Sequence, residues 1–273
     1  IKEEKISIKS NIGDLELELN KPISEINSPL KPFYYLANKM IQNQSTGIEI
    51  KIESDIPLGA GLGSSSACCV AGAAAISKLF SEKTKEEILE LAIEAERTIF
   101  ENTSGADCTV CTYGGIIEYE KEKGFIKIKS EPNFHLIIAN SNIKHSTESI
   151  VSKVKQFKNE DTERFSKLCN DESKLIEDVL QLLKENNIQK LGQKVVQNQK
   201  YLETIGISNE KLKDMIKIGQ ESSFGTKITG AGDGGCVFSL TDESNLENTI
   251  NGFKKKNYDC FSVKIDYDGL NTF

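Results

Sequence analysis

Long apolar runs are missing from this 273-residue chain. A bilayer-spanning helix takes about 20 consecutive apolar residues, and the longest run here, the small residues 67–76, is about half that length. The opening "IKEEKISIKS" shows neither the apolar segment nor the small-residue cleavage site of a secretory signal. The expectation is a cytoplasmic protein with no membrane partner. Basic charge is also short, with 34 Lys and Arg against 41 Asp and Glu and a net charge of −7. Nucleic-acid binders usually carry a basic surface, so no nucleic-acid partner is expected, although a local basic pocket stays open. Histidine is scarcer still, with only His135 and His145. The seven cysteines are an odd number in mostly apolar settings, which excludes a disulfide framework. Cys108 and Cys111 have CxxC spacing, but no second CxxC follows. Zinc usually takes four ligands, so structural thiols are favoured over a metal or redox centre.

What is present suits a folded protein of one large domain or two modest lobes, since 38% of the residues are hydrophobic. Alternation in "KISIKS" and "DLELELN" predicts two strands joined by a turn at 11–13, and "GIEIKIES" predicts a third at 47–54. A helix is predicted at 64–80. Its first part is Ala, Cys, Gly and Ser, and side chains so small allow close approach, so this helix should be central and buried. In "TKEEILELAIEAERTIF" the residues Ile88, Leu91, Ala92, Ala95 and Ile99 line one helical face, with Thr84 and Glu87 at capping-box spacing. The turn at 102–105 interrupts it, and another helix begins near Asp107. Strands follow in "GGIIEYE", "GFIKIKS" and "FHLIIAN", the last hydrophobic enough to be buried on both faces.

From Ser146 the character changes to charged amphipathic helices, predicted at 147–157, 160–186, 188–205 and 209–220. Strands "TKIT" and "CVFSL", a helix at 243–256 and a strand "CFSVKID" finish the chain. That shift places a lobe boundary near Asn140, giving lobes 1–140 and 141–273. Internal repeats and heptad runs are absent.

Two glycine-dense loops stand out. In "DIPLGAGLGSSSACC" the glycines Gly59, Gly61 and Gly63 run directly into a helix start. Glycine lets the backbone approach a ligand closely, and the free amides of the following helix favour an anion such as phosphate. Ser64, Ser65 and Ser66 can add hydroxyl contacts or meet a metal ion. This loop is neither a P-loop, which needs Lys after its last glycine, nor a dinucleotide fingerprint, which needs G-x-G-x-x-G. Taken alone it also suits a turn that lets a buried helix pack tightly. A second loop, "KITGAGDGGCVF", runs from one strand to another through Gly230, Gly232, Gly234 and Gly235. Two such loops in a chain with 20 glycines read as two walls of one site. Between them lie Glu96, at the end of a helix, and Asp107, just past a Thr-Ser-Gly turn. A helix start stabilises the charged carboxylate and would make Asp107 an acceptor for a proton or a metal. An N-cap aspartate and a surface glutamate are the plainer alternative.

These residues resemble the GHMP kinase superfamily. "PLGAGLGSSSA" is similar to its phosphate loop and "KITGAGDGGC" to its C-terminal glycine motif. Within it, the "AER" helix, the "TSGAD…YGG" segment and "NSNIKHSTESIV" resemble the mevalonate kinase branch, over nearly the whole chain. The resemblance implies an α+β, two-lobed GHMP kinase fold, with a ribosomal protein S5 domain 2-like N-terminal lobe and a ferredoxin-like C-terminal lobe. It implies ATP-dependent phosphorylation of a primary alcohol, that of mevalonate, and a possible homodimer. Gly59, Gly61, Leu62, Gly63, Ser64, Ser65 and Ser66 would cradle the ATP phosphates, with Gly230, Ala231 and Gly232 closing the pocket. Ser65 and Glu96 would hold Mg²⁺, Asp107 would act on the alcohol, and Ser104, Gly105 and Thr147 would lie near the substrate.

The sequence departs from the family pattern at several places. Phe100, Glu101, Asn102 and Thr103 precede Ser104 and Gly105 where the family has His-Gly-x-Pro, His145 stands where Arg is common, and Asp233 interrupts a loop usually all glycine. The family also carries an N-terminal Lys and a Gly-Glu-His segment that no residue from Ile1 to Ser10 matches, so an upstream segment of about 30 residues, longer than one strand, is expected. A sibling GHMP kinase and a catalytically silent metabolite-binding paralogue are the alternatives.

Overall fold

The computed structural model describes residues 5–41, 46–57, 59–144 and 147–272, with the side chains of Thr147 and Glu148 excepted. It divides into two compact units, the first made of Ile1–Ile56, Gly63–Lys127 and Ile265–Phe273, the second of Pro57–Leu62 and Ile128–Lys264. The division therefore falls after Lys127 and not near Asn140, because the strand that contains Asn140 belongs to the second unit's sheet. The C-terminal residues return to the first unit for an equally local reason. Gly115 N–H donates to the Asp266 carbonyl at 2.6 Å, and Leu270 N–H to the Thr112 carbonyl at 3.0 Å.

In the first unit, β1 (Lys5–Ser10) pairs antiparallel with β2 (Gly13–Glu18) and parallel with β3 (Ile48–Ile52), in the order β2-β1-β3. A parallel neighbour needs a crossover, and α1 (Lys31–Met40) supplies it. This helix is not among the elements anticipated from the sequence, although Pro32 in its first turn and the spacing of Phe33, Leu36 and Ala37 are helix signals. Its Tyr34 is fully buried, and the phenol donates to the Glu18 carbonyl at 2.9 Å while accepting from Lys21 N–H at 2.7 Å.

The small-residue helix α2 (Ser64–Phe80) is central, packed against α1, α3 (Lys85–Arg97) and α4 (Ala106–Tyr113). Cys69, Val70, Ala73, Ala74 and Ile76 bury against Ile6, Ile8, Leu36, Leu91, Ala92 and Cys108 in one core. The Thr84–Glu87 capping box starts α3, with Glu87 N–H on Thr84 Oγ1 at 3.3 Å and Thr84 N–H on Glu87 Oε2 at 2.9 Å. A hairpin of β4 (Ile117–Glu120) and β5 (Gly124–Lys127) follows α4.

The second unit contains β6 (His135–Asn140), then α5 (Thr147–Glu160), α6 (Thr162–Lys184), α7 (Ile188–Ile205) and α8 (Glu210–Gln220). After them come β7 (Gly225–Ile228), β8 (Cys236–Thr241), α9 (Glu243–Lys255) and β9 (Cys260–Val263). The sheet order β7-β8-β6-β9, antiparallel throughout, is that of the split βαβ, or ferredoxin-like, arrangement. Hydrophobic β6 lies at its interior, with Ile137 and Ala139 fully buried beside Val237, Met215 and Phe253.

β7 is an edge strand, and a bare edge invites foreign pairing. Here α7 covers it. The buried Gln199 side chain accepts from Ile228 N–H at 3.0 Å, and Gly192 approaches so closely that a Cβ there would lie 2.4 Å from Phe224 Cβ. Gly192→Ala should therefore lower stability by about 1–3 kcal/mol through overpacking. A thermal melt checks this, and an unchanged midpoint would show that the helix can retreat at no cost.

Candidate functional site

The first glycine loop has the backbone its sequence implies. Gly59, Gly61 and Gly63 take φ of 67°, 70° and 68°, alternating with ordinary residues, a geometry that turns successive amides into an anion-binding concavity. Gly63 is the N-cap of α2, and no side chain caps this helix, so the amides of Ser64, Ser65 and Ser66 are not spent on a cap.

Asp107 lies against this helix start. A Cβ built on Gly63 would sit 3.6 Å from Asp107 Oδ2. Glycine at 63 serves the left-handed turn, and a side chain there would stand in ordinary contact with the carboxylate. The aspartate is placed by the turn before α4. Gly105 is the left-handed N-cap at φ 85°, Ser104 Oγ accepts from Ala106 N–H at 3.2 Å, and the Tyr119 hydroxyl donates to the Ser104 carbonyl. Ser104 and Gly105, expected near the substrate, shape the turn that delivers Asp107.

Glu96 is not a surface glutamate. It is 4% exposed and surrounded by donors. Ser66 Oγ donates to Oε1, Thr103 Oγ1 donates to Oε2 at 2.6 Å, and the Cys108 thiol reaches Oε2 at 3.7 Å. The serine that meets it is Ser66, one position along from the Ser65 expected to share a metal with it. Thr103 also escaped the sequence reading, although it stands where the resembled pattern has proline. Its signal is positional, a hydroxyl in the turn that directly ends the glutamate's own helix.

The two carboxylates feel each other. Desolvation, first, and the charge of Glu96, second, raise the Asp107 carboxyl above its usual range. Asp107 still touches water while protein fills most of the space around it, so the shift is that of an acid in an open hollow. The neighbouring thiols are held protonated. Burial pushes Cys111 up to about 11 and Cys69 to about 12, with Glu96 adding to both. Cys108 rises for the same reasons.

The second glycine loop closes over the first within the second unit. Gly230 is left-handed at φ 68°, and a Cβ there would sit 3.0 Å from the Gly61 carbonyl oxygen. Thr229 Oγ1 donates to that same oxygen at 3.4 Å, and Ala60 and Leu62 pack with Ile138 and Cys236. Ala231 joins the apolar core, and Gly232 passes the Ile207 carbonyl too closely for a side chain. Of the remaining expected residues, Thr147 opens α5 with its side chain outside the described residues, and His145 lies outside them altogether.

Two family models match the chain, the N-terminal domain of GHMP kinases over residues 30–115 and their C-terminal domain over 179–259. A mevalonate kinase of Thermococcus sibiricus is 33% identical over 74% of this chain, which spans 62% of that protein's length. That of Pyrococcus furiosus is 31% identical over 89% of this chain and 74% of its own length. The crystal structure of the Methanococcus jannaschii mevalonate kinase matches 97% of this chain and 86% of its own, at 29% identity and a TM-score of 0.83. With a GHMP kinase fold, both glycine motifs and these relatives, the chain belongs to the GHMP kinase family and, within it, to the mevalonate kinases.

Proposed function

We propose that the protein transfers the γ-phosphoryl group of ATP to the primary alcohol of mevalonate, giving 5-phosphomevalonate. The observation that carries this reading is the Asp107 carboxylate seated against Gly63 at the uncapped start of α2. Phosphoryl transfer asks for positioning and charge neutralisation more than for an elaborate nucleophile. The amides of Ser64, Ser65 and Ser66 take phosphate oxygens, and the helix dipole favours their charge. Asp107 Oδ2 accepts the alcohol proton, and a carboxylate whose pKa is raised is the better base for it. Gly61 and Gly230, interlocked through Thr229, hold the glycine loop that leads into α2.

Mg²⁺ fits the residues present, because two carboxylates close enough to perturb one another stand among serine and threonine hydroxyls, while the neighbouring thiols are held protonated. Glu96 and the Ser65 hydroxyl would hold it, with Ser66 and Thr103 orienting the glutamate. When bound, the ion supplies neutralisation of the phosphate charge.

A coupled assay for ADP release, run on the full-length protein with mevalonate, phosphomevalonate, homoserine and galactose, tests the assignment. Mevalonate should give the highest kcat/KM. Faster turnover of any other alcohol would refute the substrate, and ADP release with none of them would refute the kinase reading.

A further inference from the structure

Thr103 sits in the turn between α3 and α4, and its hydroxyl makes two hydrogen bonds in opposite senses. It donates to Glu96 Oε2 at 2.6 Å and accepts from Gly105 N–H at 3.4 Å. The backbone closes the same turn, since the Glu96 carbonyl accepts from Phe100 N–H at 2.8 Å and the Phe100 carbonyl from Thr103 N–H at 3.0 Å. These bonds form a circuit that starts and ends on Glu96. Proline, which the resembled pattern has at this position, could make neither the N–H bond nor the hydroxyl bond. Ser66 reaches the buried carboxylate from α2, but on the other oxygen, and the Cys108 thiol reaches Oε2 from α4 at 3.7 Å as a weak donor. Oε2 therefore depends on Thr103. A hydroxyl that already accepts on one side has its proton directed to the other, and the two bonds strengthen each other. Gly105 is the N-cap of the helix that carries Asp107, so this hydroxyl joins the glutamate to the turn that delivers the aspartate, all within the first unit.

We propose that Thr103 is a positioning residue that couples the two acids: it fixes the Glu96 carboxylate for the divalent cation and ties it to the turn that carries Asp107. The inference rests on the kinase reading and the Mg²⁺ assignment above, and adds to them a link that the resembled motif does not contain. Thr103 touches neither nucleotide nor alcohol in this account. Its effect passes through Glu96, so removing the hydroxyl should hurt only while the carboxylate is there to be held. A buried acceptor left without its donor also costs stability, and that loss is readable with no metal present.

The test compares T103V, T103S, E96Q and T103V/E96Q in the full-length protein. It reads the Mg²⁺ concentration for half-maximal activity, KM for mevalonate, and the melting point of the protein free of metal and nucleotide. Valine keeps the shape of threonine without the hydroxyl, whereas serine keeps the hydroxyl. T103V should raise the Mg²⁺ requirement about tenfold, the usual scale for loss of a metal ligand's hydrogen-bond partner, with KM for mevalonate changed by less than about twofold. T103S should stay within about threefold of the parent. Adding T103V to E96Q should raise the requirement by less than about twofold more. In the metal-free melts T103V should lower the midpoint by about 3–6 °C, and by less than half of that in the E96Q background. A merely structural role would cost stability equally in both backgrounds and leave the Mg²⁺ requirement alone. A T103V variant indistinguishable from the parent, a T103S variant as impaired as T103V, or a full T103V penalty on top of E96Q would each overturn the proposal. Should T103V fail to fold, T103A, which removes the same hydroxyl with less bulk, takes its place under the same criteria. A parent that releases ADP with no alcohol overturns the kinase reading, and an E96Q titration matching the parent overturns the Mg²⁺ assignment, each taking this inference with it. A parent and E96Q that behave as expected beside an unimpaired T103V overturn the inference only.

Discussion

Replacing Asp107 with asparagine should lower kcat by about 10²–10⁴-fold, the range for loss of a positioned proton acceptor, while KM for ATP moves by no more than a few-fold. The asymmetry follows from the side chain's place. Its carboxylate lies against Gly63 at the helix start, where in the proposed reaction it would act on the alcohol, whereas the amides proposed to take the phosphates belong to the backbone of α2. Equal losses in kcat and ATP affinity would place Asp107 on the nucleotide instead. The same substitution should not cost stability. Burial and Glu96 raise the Asp107 pKa in the folded state, so the native protein holds this proton to higher pH than the unfolded chain does. The stability linked to that proton is present below the unfolded value, near 3.9, and is lost as pH rises through the raised folded value. At neutral pH the charged aspartate thus opposes folding, by an amount that its contact with water keeps small. Asp107→Asn should accordingly melt about 1–2 °C higher than the parent at pH 7 and lose that advantage near pH 3. A lower melting point at pH 7 would mean that the carboxylate makes a stabilising contact in the apo protein.

Much of this architecture was legible because it is dictated locally. The Thr84–Glu87 box, the span Ser64–Phe80 and the buried character of β6 all follow from residue types at short spacing, and all three are found as expected. The site was legible in its backbone parts for the same reason, since glycine at every second position announces the left-handed turns found at 59, 61 and 63. What escaped depends on how elements rotate and dock. Three consecutive serines point about 100° apart around a helix, and only the rotation of α2 against α3 decides that Ser66, and not Ser65, meets Glu96. The return of residues 265–272 to the first unit rests on backbone hydrogen bonds to the end of α4, which no side-chain pattern encodes. α1 carries helix signals of its own, but it is short and lies between strands whose alternation is the stronger local pattern. The lobe boundary was misplaced because the change in composition marks the first long helix, whereas the fold changes at the strand before it.

Glu96→Gln should raise the Mg²⁺ concentration needed for half-maximal activity by about 10–100-fold, the usual loss when a metal site's carboxylate or its support is neutralised. Glutamine keeps the shape and one acceptor oxygen, so Ser66 retains a partner and the fold should survive, but the negative charge is gone. Two further changes follow from that charge and need no metal. The acid limb of the pH–rate profile, which tracks the ionisation of Asp107, should move to lower pH, because Glu96 is the second cause of that residue's raised pKa. Cys111 should also alkylate faster with iodoacetamide in the nucleotide-free protein. Its thiol stands near 11, held there by burial first and then by Asp107 and Glu96, and removing one of those charges enlarges the thiolate fraction. A buried carboxylate kept amid hydroxyl and thiol donors, close enough to an acid to disturb it, makes sense in a protein that brings a cation to that place. If the metal titration of the glutamine variant matches the parent while both electrostatic changes appear, Glu96 tunes Asp107 without holding the ion, and the Mg²⁺ assignment falls.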